Sequence, residues 1–312
     1  MTEKPERDST NGPVCLILNG KAAMRDDVRE AVRAVRDEGI SIEVRVTWEG
    51  GDAKRFAREA TGEGFGVVIA GGGDGTVNEV VTGLVEGSDA NHASPSLAIL
   101  PLGTANDLAH ACGIPLDPPG ALRLAAFGSS TNVDVGRVNG RYLLNVATGG
   151  FGSQVTVATP PELKKLLGGA AYLLTGMTHF TSIRPDHGRL KGPGFAWEGP
   201  FLVLAIGNGR QAGGGHPLCP DALINDGCFD VRVLPKLPND ELPEALRRLL
   251  HGGRAALHRQ FVSARLPRLE IETGETLQIN LDGEPMTGTR FVFELLPGRL
   301  AMRLPPECPL LV

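Results

Sequence analysis

The chain has 312 residues, of which 41% are hydrophobic and 21% are charged, so it is long enough for two domains and its composition is not that of a disordered protein. A net charge of −5 offers no basic field for nucleic acid, and five cysteines without a C-x-x-C pair favour neither a disulfide framework nor a thiolate zinc site. We therefore expect free thiols and no nucleic-acid partner.

The N-terminal segment, MTEKPERDSTNGP, is charged and lacks the apolar core of a secretory signal. The most membrane-like run, at residues 166–177, is well short of the roughly 20 residues that a spanning helix needs. These features predict a soluble, cytoplasmic protein.

Strand-like and helical patterns alternate in the first part of the chain. The strand-like segments are VCLILN, ISIEVRV, GVVIA and SLAIL, and the first helical pattern places Val28, Ala31, Val32 and Val35 on one face. This alternation predicts βα units and an open α/β domain with a parallel sheet. We place this domain at residues 13–131.

The pattern changes near Thr131. The segments VDVGRV and RYLLNVA flank Asn139-Gly140, a dipeptide typical of a two-residue hairpin turn, and five further strand-like segments follow. Two helical patterns interrupt them, at residues 162–180 and 240–251. We expect a mainly antiparallel β domain at residues 132–312, whose last residues can return to pack on the first domain.

The segment VVIAGGGDGTVNEVVTGLV, at residues 67–85, places four glycines between a buried strand and a helical pattern. Such a turn presents backbone N–H groups and the positive end of the helix dipole to one point, with no Cβ in the way. We therefore expect a phosphate there. Neither a P-loop nor the dinucleotide G-x-G-x-x-G pattern fits. Thr76 followed by Glu79 matches a capping box, which predicts that the helix begins at about Thr76.

Asp74 is the unexpected residue of this loop, because an anion beside a phosphate repels it unless a cation intervenes. Mg²⁺, bound by Asp74 directly or through water, is the cation that this arrangement favours.

A second strand–loop–helix segment, AILPLGTANDLAHACGI, repeats the pattern, and its GTAND at residues 103–107 echoes GTVNE at 75–79. Thr104, like Thr76, is placed as a helix N-cap. Two helix N-termini at the carboxyl edge of one sheet suit a polyphosphate. In the simpler alternative, Glu79 and Asp107 only complete caps and the glycines only form a tight connection.

The two motifs GGGDGTVNEV and LPLGTANDLA together resemble the diacylglycerol kinase catalytic domain family, which includes sphingosine and ceramide kinases. The segments LILNGK, VRVTWEGGDA, IGNGRQAGGG, LCPDALINDG and NLDGEP are more similar still to the bacterial YegS-like lipid kinases of that family. The resemblance implies a nucleotide-binding α/β domain followed by a β-sandwich. It also implies an ATP-dependent, Mg²⁺-requiring kinase that phosphorylates the free hydroxyl of a glycerolipid, phosphatidylglycerol or diacylglycerol.

The resemblance also implies site residues. Glu284 in LDGEP would be the base that takes the proton of the lipid hydroxyl, with Asp282 assisting or binding metal. The alternative for both acids is a solvated hairpin turn. The nucleotide contacts carried over by matching positions are Thr47, Gly73, Asp74, Gly75, Thr76, Val77, Asn78, Glu79 and Thr104.

A metal site is implied by the same resemblance in PDALINDG, where the Asp226 side chain and the backbone carbonyls of Leu223 and Cys228 would hold Mg²⁺. A carbonyl ligand tolerates cysteine at a position where relatives commonly have an apolar residue. From its spacing alone this segment is only a turn, and its expected task is structural or regulatory.

Other functions remain open at this point. An NAD kinase or sugar kinase acting on a soluble hydroxyl would share the G-G-D-G motif, and a nucleotide sensor without catalysis would not need Asp282 and Glu284. A lipid substrate implies peripheral contact with the inner membrane. Lys164 and Lys165 beside leucines are a candidate dock for it, although ordinary packing of a helix explains them equally. The oligomeric state is open, with a homodimer as one option.

Overall fold

The computed structural model describes residues 12–88, 94–150, 185–236 and 260–312 of the chain. The chain divides into two compact units. The first comprises residues 1–135 and 297–311, and the second comprises residues 136–296 with the terminal Val312.

The first unit is built on a parallel sheet, as predicted. Its strands pair side by side in the order β2-β1-β3-β4. All residues of three of these strands are buried, as expected for central strands covered on both faces, whereas β2 at the edge is largely exposed. The strands are β1 (Val14–Leu18), β2 (Ile42–Val46), β3 (Val67–Gly72) and β4 (Ser96–Pro101).

Five α-helices accompany these strands in the described part of the first unit. The first buries Val28, Ala31, Val32 and Val35, the face that the sequence predicts, in one core cluster with the sheet. The glycine-rich turns precede the third and fourth helices. The five are α1 (Asp26–Asp37), α2 (Asp52–Gly62), α3 (Asp74–Gly87), α4 (Asp107–Cys112) and α5 (Pro118–Phe127).

The described strands of the second unit pair in antiparallel fashion, which confirms the predicted β character of this part of the chain. The strands that follow β4 are β5 (Ser130–Val138), β6 (Arg141–Leu143), β7 (Val146–Gly150), β8 (Asp186–Gly192), β9 (Phe195–Gly207), β10 (Gln211–Ala212), β11 (His216–Pro217), β12 (Phe229–Pro235), β13 (Val262–Leu266), β14 (Arg268–Leu281) and β15 (Glu284–Arg303). The end of β15 lies in the first unit, where Met302 pairs in parallel with Leu97 of β4.

Buried phenylalanines form the centre of the second unit's core. Phe201, Phe229, Phe291 and Phe293 have no exposed surface, and the rings of Phe229 and Phe293 meet edge to face with centroids 6.1 Å apart. Aromatic pairs in this geometry add to the stabilisation that burial alone provides.

Two hairpin turns of the second unit require left-handed backbone. Asn139 and Gly140 have φ values of 46° and 86°, and Asp282 and Gly283 have φ values of 49° and 100°. Positive φ at both central residues is the geometry of the tight turn that Asn-Gly and Asp-Gly favour. The hairpin predicted at Asn139-Gly140 is confirmed.

All five cysteines are free thiols, and four of them are buried. Within the described ranges, no helix has both the length and the apolar character needed to cross a bilayer. The helices predicted at 162–180 and 240–251, and with them Lys164 and Lys165, lie outside the described residues.

Candidate functional site

Loops at the carboxyl ends of three neighbouring strands contact one another in the first unit. Asn19, directly after β1, donates a hydrogen bond from Nδ2 to Oγ1 of Thr76 at 3.4 Å. Thr47, directly after β2, accepts one at Oγ1 from the backbone N–H of Gly20 at 3.3 Å. Thr47 and Thr76, both predicted to contact nucleotide, are therefore joined through the loop that follows β1.

The loops after β3 and β4 meet backbone to backbone. A Cβ built on Gly103 would lie 2.5 Å from the Cα of Gly73, and one built on Gly73 would lie 3.2 Å from the Cα of Gly103. These two glycines are therefore required by packing of the loops. Gly75 is different, because it is exposed and a Cβ there meets nothing within 4 Å. Space for a ligand exists beside Gly75.

The predicted threonine caps are wrong. The third helix begins at Asp74 with Gly73 as its N-cap, and the fourth begins at Asp107 with Asn106 as its N-cap. Thr76 thus lies inside the first turn of α3, and Thr104 lies exposed in the loop before α4. The physical reason is that glycine already takes the extended N-cap conformation in the first loop. In the second loop Asn106, at φ 49°, holds the turn.

The Asn106 side chain closes the second turn, and Glu79 does not form the capping box predicted for the first. Oδ1 of Asn106 accepts the N–H of Gly103 at 2.9 Å, and Nδ2 of Asn106 donates to the Gly103 carbonyl at 3.0 Å. Glu79 does not reach its own helix end, since Oε2 accepts the N–H of Gly51 at 3.1 Å. Glu79 therefore connects α3 to the loop after β2.

Asp74 caps the neighbouring helix. Its carboxylate accepts hydrogen bonds from the backbone N–H groups of Asp107 and Leu108, the first residues of α4. Burial, and then the charge of Asp107, raise the pKa of the Asp74 carboxyl, whereas these N–H bonds lower it. The expectation of two open helix N-termini is therefore corrected, because the Asp74 carboxylate already accepts two N–H groups at the start of α4 and its own N–H at the start of α3.

Asp282 organises the backbone of the second unit beside the LDGEP turn. Its carboxylate oxygens accept the N–H groups of Leu144 at 2.7 Å and of Asn145 and Val146 at 3.0 Å each. The expected alternative, a pair of solvated acids, is wrong for Asp282, because these bonds are made by its side chain. The turn itself is a hairpin, as that alternative assumed.

Glu284 begins β15 opposite Leu281 and is exposed. Its side chain forms no hydrogen bond or ion pair with the part of the chain that the structure describes. Of the two acids in the turn, Asp282 is thus engaged in fixing backbone, and Glu284 is available to an incoming hydroxyl.

Asp226 makes two contacts in the predicted metal turn. Oδ1 accepts the N–H of Cys228 at 2.9 Å, and Oδ2 forms an ion pair with the guanidinium of Arg265. The Asp226 side chain is 9% exposed, and that of Arg265 is 47% exposed. A carboxylate, and the backbone carbonyls of Leu223 and Cys228 that were predicted to join it, are oxygen donors that suit a hard cation, but here the Arg265 guanidinium already contacts Asp226.

Three contacting residues were missed by the sequence analysis. Asn19 and Gly20 reach Thr76 and Thr47, and their position directly after the first strand is the signal that could have identified them. No sequence pattern identifies Arg265 as a contact of Asp226, because it lies 39 residues away and meets Asp226 only through the pairing of β12 with β13.

Comparison with known proteins adds family evidence to this geometry. Residues 13–138 match the family model described as the diacylglycerol kinase catalytic domain, and residues 145–304 match the YegS C-terminal NAD kinase beta sandwich-like domain. A Pseudomonas aeruginosa protein named "Probable lipid kinase YegS-like" is 52% identical over 96% of this chain and 96% of its own length. A protein of the same name from Yersinia enterocolitica is 49% identical over 95% of this chain and 98% of its own.

Solved structures show the same likeness. A crystal structure of a diacylglycerol kinase from Bacillus anthracis superposes with a TM-score of 0.74 at 26% identity, covering 95% of this chain and 98% of that one. The β-sandwich expected for the C-terminal part is therefore confirmed by the family model, together with the antiparallel strands.

The role of Asp282 in fixing the backbone predicts that Asp282→Ala destabilises the second unit. The substitution leaves three backbone N–H groups without their acceptor, and each unsatisfied buried donor costs about 1–3 kcal/mol. We expect a loss of at least about 2 kcal/mol, measured as a shift of the urea midpoint by circular dichroism. The matched control, Glu284→Gln, should stay within about 0.5 kcal/mol. Equal midpoints for Asp282→Ala and the unchanged protein would contradict this role.

Proposed function

The chain belongs to the diacylglycerol kinase catalytic domain family, among its YegS-like members, and we propose on this basis that it phosphorylates the free hydroxyl of a membrane glycerolipid with Mg²⁺-bound ATP. The coarser activity follows from membership: it is an ATP-dependent lipid kinase, a phosphotransferase with an alcohol as acceptor. Phosphatidylglycerol is the acceptor favoured by the YegS-like relatives, and diacylglycerol by the wider family. Peripheral contact with the inner membrane, and a homodimer, are parts of the proposal.

The observation that carries the proposal is the open turn at the N-terminus of α3. This helix has 14 residues, its N-cap Gly73 has no side chain, and a Cβ on Gly75 would meet nothing within 4 Å. Its positive dipole end and backbone N–H groups favour an anion of the size of a phosphate. The nucleotide contacts that we propose are Thr47, Gly73, Asp74, Gly75, Thr76, Val77, Asn78, Glu79 and Thr104.

Mg²⁺ would neutralise the charge that develops on the phosphates of the nucleotide. Asp74 is the residue that we propose to orient it. Because the Asp74 carboxylate already accepts the N–H groups of Asp107 and Leu108, we favour an interaction through water over direct coordination.

Glu284 is the base in this proposal. Its carboxylate accepts the proton of the lipid hydroxyl while the hydroxyl oxygen bonds to the γ-phosphorus, and the bond from that phosphorus to ADP breaks. Asp282 contributes by holding the backbone at residues 144–146 and thereby the turn that carries Glu284. An NAD or sugar kinase remains the rival, but the relatives of this chain carry lipid kinase names.

We expect transfer of labelled phosphate from ATP to a glycerolipid when the purified protein is offered phosphatidylglycerol, diacylglycerol, NAD and fructose 6-phosphate in parallel. Gly75→Val is the matched variant, because the fold has room for the new side chain but a phosphate at the turn does not. It should lose the transfer, with an unchanged circular dichroism spectrum. Transfer only to NAD or to the sugar would refute the lipid assignment, and full activity of Gly75→Val would refute the loop assignment.

Glu284→Gln should lower kcat by about 10²- to 10⁴-fold, because an amide cannot accept the hydroxyl proton. Single-turnover kinetics with saturating ATP and lipid measure this loss. ATP binding, followed by calorimetry, should be unaffected. A loss smaller than about tenfold would transfer the role of base from Glu284 to another group or to water.

A second Mg²⁺ at Asp226 is the other metal in the proposal, held by that side chain and the carbonyls of Leu223 and Cys228. The exposed Arg265 guanidinium has to move away for the ion to reach Oδ2 of Asp226. Arg265 is therefore a competitor of the metal at this turn, and its removal should strengthen metal binding.

Arg265→Gln should lower the Mg²⁺ concentration that stabilises the protein by about tenfold or more, because the competing cation is gone. The concentration dependence of the melting temperature, with Ca²⁺ as a second probe, measures this without any assay of activity. Arg268→Gln is the control, because it removes the same charge from a neighbouring exposed position. The same shift in both variants, or none in Arg265→Gln, would exclude competition at Asp226.

A further inference from the structure

Trp48 is the most exposed of the large apolar side chains in the described part of the chain, at 95%. It directly follows Thr47 at the carboxyl end of β2, the edge at which the glycine turn of α3 also opens. An indole buries a large apolar area when it finds a partner, and the described residues leave this one almost fully exposed.

The backbone that carries this indole is fixed. The N–H groups of Trp48 and Glu49 donate to Oδ2 of Asp52 at 2.8 Å and 3.1 Å. A hydrogen bond from Arg55, followed by those from these N–H groups, lowers the pKa of the Asp52 carboxyl to about 2, so the acceptor is ionised at neutral pH. The N–H of Thr47 continues the sheet by donating to the Leu18 carbonyl at 3.0 Å. The exposure of Trp48 is therefore not that of a loose loop.

The same loop is tied to the helix that is proposed to bind phosphate. The N–H of Gly51 donates to Oε2 of Glu79 on α3 at 3.1 Å. In the sheet, β2 and β3 are separated only by β1, so their ends lie two strand spacings, about 10 Å, apart. When the phosphate chain starts at α3, the ribose and the first phosphate extend over this interval, and the base arrives at the end of β2.

We propose that the indole of Trp48 is the surface against which the adenine ring of ATP stacks. This inference rests on the proposed nucleotide site and adds a residue that positions the base. A flat, uncharged base needs a flat apolar partner, and stacking on an aromatic side chain supplies this without hydrogen bonds to the base edge. Because every base has a π-face, Trp48 contributes affinity for purine nucleotides in general and discriminates weakly between ATP and GTP.

A lipid surface is the competing partner. Val44 and Val46 of β2, at 36% and 46% exposure, are apolar side chains in the strand that ends two residues before Trp48. The charge next to the indole disfavours a bilayer of anionic lipids, because Glu49 is exposed and the nearby Arg55 is already ion-paired with Asp52. An uncharged adenine ring meets no such repulsion.

Fluorescence tests the proposal directly, since Trp48 and Trp197 are the two tryptophans of the chain. In a Trp197→Phe background, which keeps an aromatic ring beside Phe201, added ATP should quench the emission of Trp48 in a saturable manner. Calorimetry should show that Trp48→Ala raises the Kd for ATP and for GTP by about tenfold or more, which corresponds to about 1.4 kcal/mol. Trp48→Phe should stay within about threefold, and the KM for lipid should not change.

Three results would overturn the proposal, each in a recognisable way. If bound ATP left the Trp48 emission unaltered and Trp48→Ala left the Kd for ATP unaltered, the adenine base would not contact this loop. The proposed nucleotide site at α3 would not be affected by that result. A blue shift with phosphatidylglycerol vesicles in the absence of nucleotide, together with a raised KM for lipid and an unaltered Kd for ATP, would assign Trp48 to the membrane. Absence of any heat of ATP binding to the unchanged protein would overturn the proposed function as well.

Discussion

Aspartate carboxylates that accept backbone N–H groups fix the loops on which both candidate sites depend. Asp74 does this at the start of α4, Asp52 in the loop after β2, and Asp282 beside the hairpin between β14 and β15. Hydrogen bonds to an ionised acceptor are stronger than those between neutral groups. A loop that contributes catalytic or binding groups has few apolar contacts to hold it, so these bonds supply the rigidity that such a site needs.

This use of aspartate divides the acids of the chain between support and chemistry. An aspartate whose oxygens are committed to N–H donors cannot also change its proton during a reaction without releasing the backbone that it holds. The carboxylate oxygens of Asp282 are committed in this way. Those of Glu284, which lies two residues later at the exposed start of β15, are not. The assignment of the base to Glu284 therefore gains support from the bonding of its neighbour, which does not depend on the family resemblance.

The sequence predicts the elements better than their contacts. Apolar periodicity identifies the four parallel strands and the buried face of α1, and Asn139-Gly140 identifies a hairpin, because these features depend on neighbouring residues. The threonine caps were predicted wrongly, since the N-cap positions belong to Gly73 and Asn106. The capping of α4 by Asp74 could not be predicted at all, because donor and acceptor are more than 30 residues apart and meet only when β3 and β4 pair. The pairing of Arg265 with Asp226 escapes the sequence for the same reason.

Two glycines of the G-G-D-G motif are required for different physical reasons. This difference explains why the motif alone does not specify a substrate. Gly73 is required by the backbone of Gly103, and that requirement exists in any fold that packs these two loops together. Gly75 faces open space, so its lack of a side chain matters only to a ligand at the helix end. The first requirement concerns loop packing and the second concerns a ligand at the helix end, so neither involves the acceptor. What distinguishes a lipid kinase from an NAD or sugar kinase must then lie in residues outside this motif, and Glu284, in the turn that Asp282 supports, is the residue of the second unit that we propose for the acceptor.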